Sequence, residues 1–162
     1  HNVSWLMQLC YHIMIMKKLV FSFLAFGLLA YGQSYCIKEK SGVFIDDPYI
    51  KDYTIKAVED AFVEAHKTLD CNAKSRKTVL LKITNFSSMP IGYSIYQRAN
   101  NYMLNVGIEL DLGNKKYTYS QVSYYALPTG GEGDLPKRQA FEDAMSRIKD
   151  NIISDLLSND KR

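Results

Sequence analysis

The stretch that decides the fold is residues 101–125, which read NYMLNVGIELDLGNKKYTYSQVSYY. Its first half alternates apolar residues with polar ones such as Asn105 and Glu109. This period of two predicts a strand with one face on a core and the other in water. Gly113 and Asn114 tolerate positive φ and predict a tight turn, after which KKYTYSQVSYY returns as the partner strand. The apolar positions are Tyr102, Leu104, Val106, Ile108, Leu110 and Leu112.

Two further strands are predicted upstream of this hairpin. TVLLKITNF, at 78–86, is rich in β-branched residues and predicts a largely buried strand. A first strand is predicted over Ile37–Asp47, best at GVFID, and it ends at Pro48 because proline has no N–H for the ladder. Residues Ser87–Asn100 contain a Pro and a Gly and predict a long loop, a feature that is often functional in a compact domain.

Two amphipathic helices complete the pattern. One is predicted over Asp52–Leu69, capped by Asp52 or Thr54, and the other over Lys137–Ser158. The apolar stripe of the second consists of Phe141, Met145, Ile148, Ile152 and Leu156. Since two one-sided helices and a one-sided sheet bury their apolar faces together, the order β-α-β-β-β-α predicts an α/β (α+β) two-layer sandwich, with a four-stranded mixed sheet and both helices on one face.

The N-terminal third has the composition of an export signal. Lys17 and Lys18 precede an apolar run, Leu19–Tyr31, that is too short to span a bilayer, and small residues follow it. We expect residues 14–34 to be a signal peptide, 1–13 to be an upstream or non-native segment, and 35–162 to be a single exported domain. Cleavage is expected after Gly32 or Ser34; the alternative is a lipid-modified Cys36.

Charge and cysteines limit the partners and the redox environment. The formal net charge is +3. Loss of two signal-peptide lysines leaves the domain near neutral, which gives no reason to expect nucleic acid as a partner. A strand that leads away from Cys36 and a helix that returns toward Cys71 bring the chain back to the same level, so a Cys36–Cys71 disulfide is feasible in an oxidising compartment. Lipidation of Cys36 would preclude this disulfide.

Catalytic equipment is sparse in the predicted domain. His66 is its only histidine, and a catalytic role would require a nucleophile and an orienting carboxylate nearby. His66 and Cys71 together do not complete a zinc site. We therefore expect neither an enzyme nor a metal or other cofactor.

Tyrosines and cations around the hairpin are the candidate binding residues. Tyr93 and Tyr96 lie in the predicted loop, where an amphipathic ring favours an interaction surface over ordinary strand composition. Arg98, Lys115 and Lys116 lie near the ends of the hairpin. These cations are either simply solvated or bind an anionic lipid head group.

At this point the chain resembles a known family. The element order, the export signal, YSIYQRANNYMLNVGIELDL with Arg98 ahead of a regular strand, and the closing LPKRQAFEDAMSRIKDNIISDLL are similar to the LPS-assembly lipoprotein LptE family. The resemblance covers roughly Val43–Leu157 and rests on a diffuse pattern without a catalytic signature. The chain departs from the family at Gln33-Ser34-Tyr35-Cys36, where bulky Tyr35 makes a poor lipid-attachment motif.

The resemblance implies a non-enzymatic subunit on the periplasmic side of the outer membrane. Such a subunit plugs the LptD barrel, assists its assembly and binds lipopolysaccharide, and no obligate homo-oligomer is expected. The hairpin and the preceding loop would then meet barrel wall or lipid. The alternative from another class is a periplasmic cofactor or scaffold protein for a cell-wall synthase or secretion complex. A third hypothesis is a small-ligand module that uses the sheet face as a pocket wall.

Overall fold

The computed structural model describes residues 2–30, 33–93, 99–127 and 134–160. The chain divides into two compact units, His1–Gln33 and Ser34–Arg162. In chain order, the elements are α1 (Asn2–Ala30), β1 (Ser34–Glu39), α2 (Pro48–Glu64), β2 (Thr68–Leu69), β3 (Arg76–Tyr93), β4 (Ala99–Asp111), β5 (Lys116–Ala126) and α3 (Asp134–Asp160).

The first unit contains helix α1, which is 29 residues long. The predicted boundary between residues 13 and 14 lies within this helix, so the helix includes both the segment set aside as upstream and most of the predicted signal peptide. Within the described ranges, no helix combines the length and the apolar character that a membrane crossing requires.

The second unit is built on a five-stranded mixed sheet with the strand order β2-β1-β3-β4-β5. β1 is parallel to β2 and β3, whereas β3, β4 and β5 form antiparallel pairs. The mixed sheet was predicted, but the predicted number of four strands is wrong because the two-residue strand β2 is added at one edge. The predicted number of two helices is likewise exceeded by α1.

Helix α2 begins and ends earlier than the predicted Asp52–Leu69. Its cap is Asp47, whose side chain accepts a hydrogen bond from the Tyr49 N–H at 3.1 Å. Pro48 occupies the first helical position, where a missing N–H costs nothing, so this proline starts a helix and does not end a strand. At the other end His66 adopts a φ of 64°, and the chain turns back to pair Thr68 with Ser34.

The first strand is Ser34–Glu39, and the predicted strand GVFID is a loop. This loop stays close to β3, since the Lys40 N–H donates to the Leu81 carbonyl at 2.8 Å and the Val43 N–H to the Ile83 carbonyl at 3.0 Å. Gly42 lies so close to β3 that a Cβ atom would stand 2.1 Å from the Ile83 oxygen. The loop presents Phe44 to solvent, with 91% of this side chain exposed.

Strand β3 extends well beyond the predicted 78–86, through much of the segment predicted as a loop. It pairs with β4 as far as Tyr93↔Ala99, while residues 94–98 lie outside the described part of the chain. Register shifts between Ile83 and Asn85 and on both sides of Gly92 allow the strand to continue through its Pro and Gly. The loop prediction was wrong because these bulges accommodate residues that usually break a strand.

One core joins the two helices to one face of the sheet. The predicted alternation in β4 is confirmed, because Leu104, Val106, Ile108 and Leu110 are all buried. The predicted stripe of α3 is buried as well, from Phe141 to Leu156. These side chains pack with Val58 and Phe62 of α2 in a single cluster, so α2 and α3 cover the same face and leave the other face open.

Candidate partner-binding surface

The described residues contain few groups suited to catalysis. Nowhere in these ranges do three or more His, Cys, Asp or Glu side chains come together in a group that could hold a metal ion. His66, the histidine weighed as a catalytic residue, lies exposed in the turn after α2. Residues 128–133, which include the sequence GGEG, lie outside the described residues.

A groove of about 460 Å³ lies on the helical layer. It is lined by Tyr49, Asp52, Tyr53, Lys56, Ala57, Asp60 and Lys149. The Tyr49 hydroxyl donates to the Glu142 carboxylate, a bond that raises the pKa of Tyr49. Lys149 forms an ion pair with Glu64 at 2.9 Å, which raises the pKa of Lys149. These contacts tie α2 to α3, so part of the polar lining is already committed to holding the helical layer together.

Cys36 and Cys71 form a disulfide with a Cα–Cα distance of 4.6 Å. Cys36 is buried in β1, where it pairs with Thr78 of β3, and the preceding Tyr35 packs against the Phe62 ring. Because a sulfur atom in a disulfide cannot also carry a lipid thioether, this structure is incompatible with a lipid anchor on Cys36. Of the two alternatives left open by the sequence, the structure contains the disulfide.

Those predicted binding residues that the structure describes lie at opposite ends of the long hairpin. Tyr93 is exposed at the end of β3, and Tyr96 and Arg98 lie outside the described residues. Lys115 and Lys116 are exposed at the turn end, where the Lys115 ammonium lies 4.8 Å from the centre of the Tyr117 ring. β4 has 13 residues between these ends, a separation of about 40 Å at the usual rise of a strand.

A cluster of exposed apolar side chains occupies the end of the sheet near Tyr93. Met89, Met103 and Tyr124 are directly opposite one another on three adjacent strands, and they project from the open face. Ile91 and Tyr93 are the next exposed apolar residues along β3, where the register shifts on both sides of Gly92. Exposed fractions are 49% for Met89, 51% for Ile91, 65% for Tyr93 and 64% for Tyr124. We call these five residues the apolar tip: Met89, Ile91, Tyr93, Met103 and Tyr124.

The other face of the same sheet end is aromatic and only half-buried. The Tyr102 and Tyr125 rings stack with their centres 5.1 Å apart. The Tyr125 hydroxyl donates to the Ser88 hydroxyl at 2.8 Å, a bond that links β5 to β3 across β4. Tip side chains are therefore held on a three-stranded, hydrogen-bonded framework, which fixes their spacing.

The sequence predictions identified only part of the tip. Tyr93 was a predicted site residue, but Met89 and Ile91 were not, because their segment was assigned to a loop. Met89, Ile91 and Tyr93 recur at a spacing of two residues, a pattern that in a regular strand indicates one face. In β3 the register shifts on both sides of Gly92 interrupt this alternation. Pro90 and Gly92 between them favoured the loop assignment.

Comparison with known proteins places the chain in a sequence family. An uncharacterized protein from Aquifex aeolicus (strain VF5) is 35% identical over 114 residues, which are 70% of this chain and 77% of the relative. The chain belongs to the same family as this protein. No family model matches the sequence.

Solved structures with some likeness to the chain include two bacterial lipoproteins. One is the rare lipoprotein B from Shewanella oneidensis, with a TM-score of 0.44, 12% identity and coverage of 77% of this chain and 96% of that one. Another is a minor lipoprotein from Acinetobacter baumannii, with a TM-score of 0.46, 8% identity and coverage of 76% and 92%. At TM-scores below 0.5, neither likeness identifies a function.

Proposed function

We propose that this protein is a non-enzymatic subunit of the outer membrane that binds and plugs an LptD-type barrel and assists it in lipopolysaccharide transport. The observation that carries the proposal is the apolar tip. An exposed apolar surface of this kind on a water-facing protein marks an interaction site. We take the barrel as the partner because the element order, the export signal and the two quoted stretches resemble the LptE family.

The framework behind the tip supports a docking role. Its three strands are joined by the Tyr125–Ser88 hydrogen bond and by a register without interruption between β4 and β5. Tyrosine and methionine both suit a partner surface, since tyrosine offers a large amphipathic ring and methionine adapts to irregular contacts. A rigid framework lowers the entropy cost of association, because these side chains are positioned before the partner arrives.

Two lysines at the β4–β5 turn support a second contact of this protein, with anionic groups of the lipid. Lys115 and Lys116 are exposed there, about 25 Å or more along β5 from Tyr124 at the usual rise of a strand. Lipopolysaccharide carries phosphates, which lysine binds as a point charge. In this proposal the tip contacts protein or acyl chains, and the two lysines contact phosphate.

The test is an affinity pull-down of the tagged full chain from detergent-solubilised membranes of its own host, with mass spectrometry of the partner. We expect a stoichiometric LptD-type barrel with the wild-type chain. The double variant Met89→Ser/Ile91→Ser is expected to lose most of it, because removing two apolar anchors from an interface costs about a hundredfold or more in affinity. The matched control is Val63→Ser, which removes an exposed apolar side chain from α2.

Other results of the pull-down have defined meanings. A cell-wall synthase or a secretion complex in place of the barrel would replace this function by the scaffold alternative. If the tip double variant and the Val63→Ser control bind the barrel equally well, the tip is not part of the interface. A chain that returns alone would contradict the proposal.

A further inference from the structure

The sheet has four stretches of strand edge without a described neighbour, and they differ in protection. Residues 36–39 of β1 extend past β2 and make up only four residues of edge. β2 forms one edge and is only two residues long. The part of β3 beyond Ile83, which β1 and its loop leave uncovered, contains Pro90 and two bulged regions. β5 is the opposite edge, with 11 residues, no proline and no register shift along its whole pairing with β4. Short strands, prolines, bulges and edge lysines are the usual devices that prevent strand addition; β5 lacks the first three and has a lysine only at its first residue, Lys116.

The backbone groups on the free side of β5 can be assigned from its ladder. The Leu112 N–H donates to the Lys115 carbonyl at 2.9 Å, and the Leu127 N–H donates to the Asn100 carbonyl at 2.8 Å. Because hydrogen-bonded and non-hydrogen-bonded pairs alternate in an antiparallel ladder, the even-numbered residues of β5 direct their N–H and C=O groups away from β4. These residues include Thr118, Ser120, Val122 and Tyr124.

Helix α3 provides independent support for this assignment. The Arg147 guanidinium donates to the Val122 carbonyl at 2.7 Å, as it can only if this oxygen faces outward from the sheet. Arg147 also donates to the Asp143 carbonyl at 3.4 Å. Apart from the Val122 carbonyl, which accepts from Arg147, the outward donors and acceptors of β5 have no partner among the described residues, and their natural complement is the backbone of another extended strand.

Charge along this edge indicates which kind of strand fits. Lys116 lies at its start and Arg147 beside its middle, and both are exposed. Within the described ranges, neither side chain forms an ion pair. An acidic residue on an incoming strand would pair with either cation, whereas a basic strand would be repelled.

The same charges disfavour a second copy of this chain as the occupant. In a twofold antiparallel pairing centred on Gln121, Val122 of one copy would face Ser120 of the other. The two Arg147 guanidiniums would then lie within roughly two residues, or about 7 Å, of each other. Like charges at that spacing oppose pairing in this register.

We propose that the free edge of β5 accepts an extended strand from a different protein, and that this strand carries an acidic residue facing Arg147 or Lys116. This inference rests on the proposed function in one respect, namely that the chain has a protein partner. If that partner is an outer-membrane barrel, the added strand is a segment of it.

The test is photo-cross-linking of the full chain in its own host. A benzoylphenylalanine replaces Tyr124 on the β5 edge, and a second preparation carries it at the exposed Phe44, on the loop beside β3, as the positional control. Ser120→Pro removes an outward N–H without breaking the ladder to β4, while Ser120→Ala changes the side chain and keeps the N–H. Arg147→Glu and Arg147→Lys test the charge beside the strand, and Arg147→Lys keeps a donor for the Val122 carbonyl.

We expect a cross-link from position 124 to a second protein, reduced about tenfold or more by Ser120→Pro and by Arg147→Glu. Ser120→Ala and Arg147→Lys should retain it. If the protein cross-linked in this way is an LptD-type barrel, both proposals are supported. If it is another protein with an extended acidic segment at the cross-link, the strand-addition site stands and the barrel function falls.

Three results would overturn the inference. In the first, the barrel co-purifies or cross-links from position 44, but position 124 gives no cross-link or one that Ser120→Pro does not reduce. This result would be compatible with the proposed function and would contradict the strand-addition site. In the second, position 124 cross-links to another copy of this chain, which would show that the strand added to β5 comes from a second copy and not from a different protein. No cross-link and no co-purified barrel contradict both proposals.

Discussion

The two ends of the strands β3, β4 and β5 follow the same alternation of side chains but differ in what covers them. Along most of β4, the apolar residues Leu104, Val106, Ile108 and Leu110 face α2 and α3 and are buried. At the tip, Met89, Met103 and Tyr124 face the open side. The difference teaches that apolar content alone does not distinguish folding from binding residues. The covered end stabilises the chain, and the uncovered end is available to a partner.

The largest expected effect separates the two ends by their contribution to stability. Phe141 is fully buried and contacts the Tyr53 and Phe86 rings, so Phe141→Ala should lower the free energy of unfolding by about 3–5 kcal/mol. Tyr124→Ala, an aromatic truncation at the exposed tip, should change it by about 0.5 kcal/mol or less. Urea unfolding followed by circular dichroism measures both. A comparable loss for Tyr124→Ala would mean that the tip belongs to the folding core.

The disulfide should have the next largest effect, and it lies away from the tip. Its two cysteines are 35 residues apart in sequence, and their link joins buried β1 to the turn before β3. The double variant Cys36→Ser/Cys71→Ser should lose about 2–4 kcal/mol of unfolding free energy. Cys10→Ser, at the exposed free cysteine of α1, is the control. Equal stability of the double variant and the wild-type chain would refute the disulfide as a brace.

A smaller, pH-dependent effect is expected where the two helices begin. Arg138 donates two hydrogen bonds to Asp47, at 2.8 and 2.9 Å, and they hold the pKa of Asp47 below its ordinary value. Since the folded-state pKa lies below the unfolded one, this stabilisation is present above about pH 4 and is lost as the pH falls further. Asp47→Asn keeps the cap but loses the charge. The stability gap between wild type and Asp47→Asn should therefore shrink from pH 7 to pH 3, and a constant gap would contradict the assignment.

Much of the covered end could be predicted from the sequence, and less of the tip. The period of two in β4 and the stripe of α3 are local signals with long runs, and both were confirmed. β1 was misplaced because its pairing with β3 depends on residues distant in sequence, whereas GVFID has local strand propensity but lies in a loop. Pro90 and Gly92 concealed the extension of β3, since only the paired register shows how bulges accommodate them. Of the five tip residues, only Tyr93 is among the binding residues predicted from the sequence, because Met89 and Ile91 lie in that concealed segment.

Methionine oxidation compares the two ends in a single experiment. Met89 is half-exposed at the tip, and Met145 is completely buried in α3. In the isolated full chain, brief peroxide treatment should convert Met89 to the sulfoxide quickly and leave Met145 unmodified, because a thioether reacts only when it is accessible.

The decisive sample is the complex captured from solubilised membranes of the host. If the tip is the partner-binding surface, Met89 becomes protected from oxidation in the complex. A methionine-containing peptide added to both samples serves as the reference for peroxide dose. Oxidation of Met89 at the same rate in the complex as in the isolated chain would show that the tip stays in solvent, and would contradict the central claim.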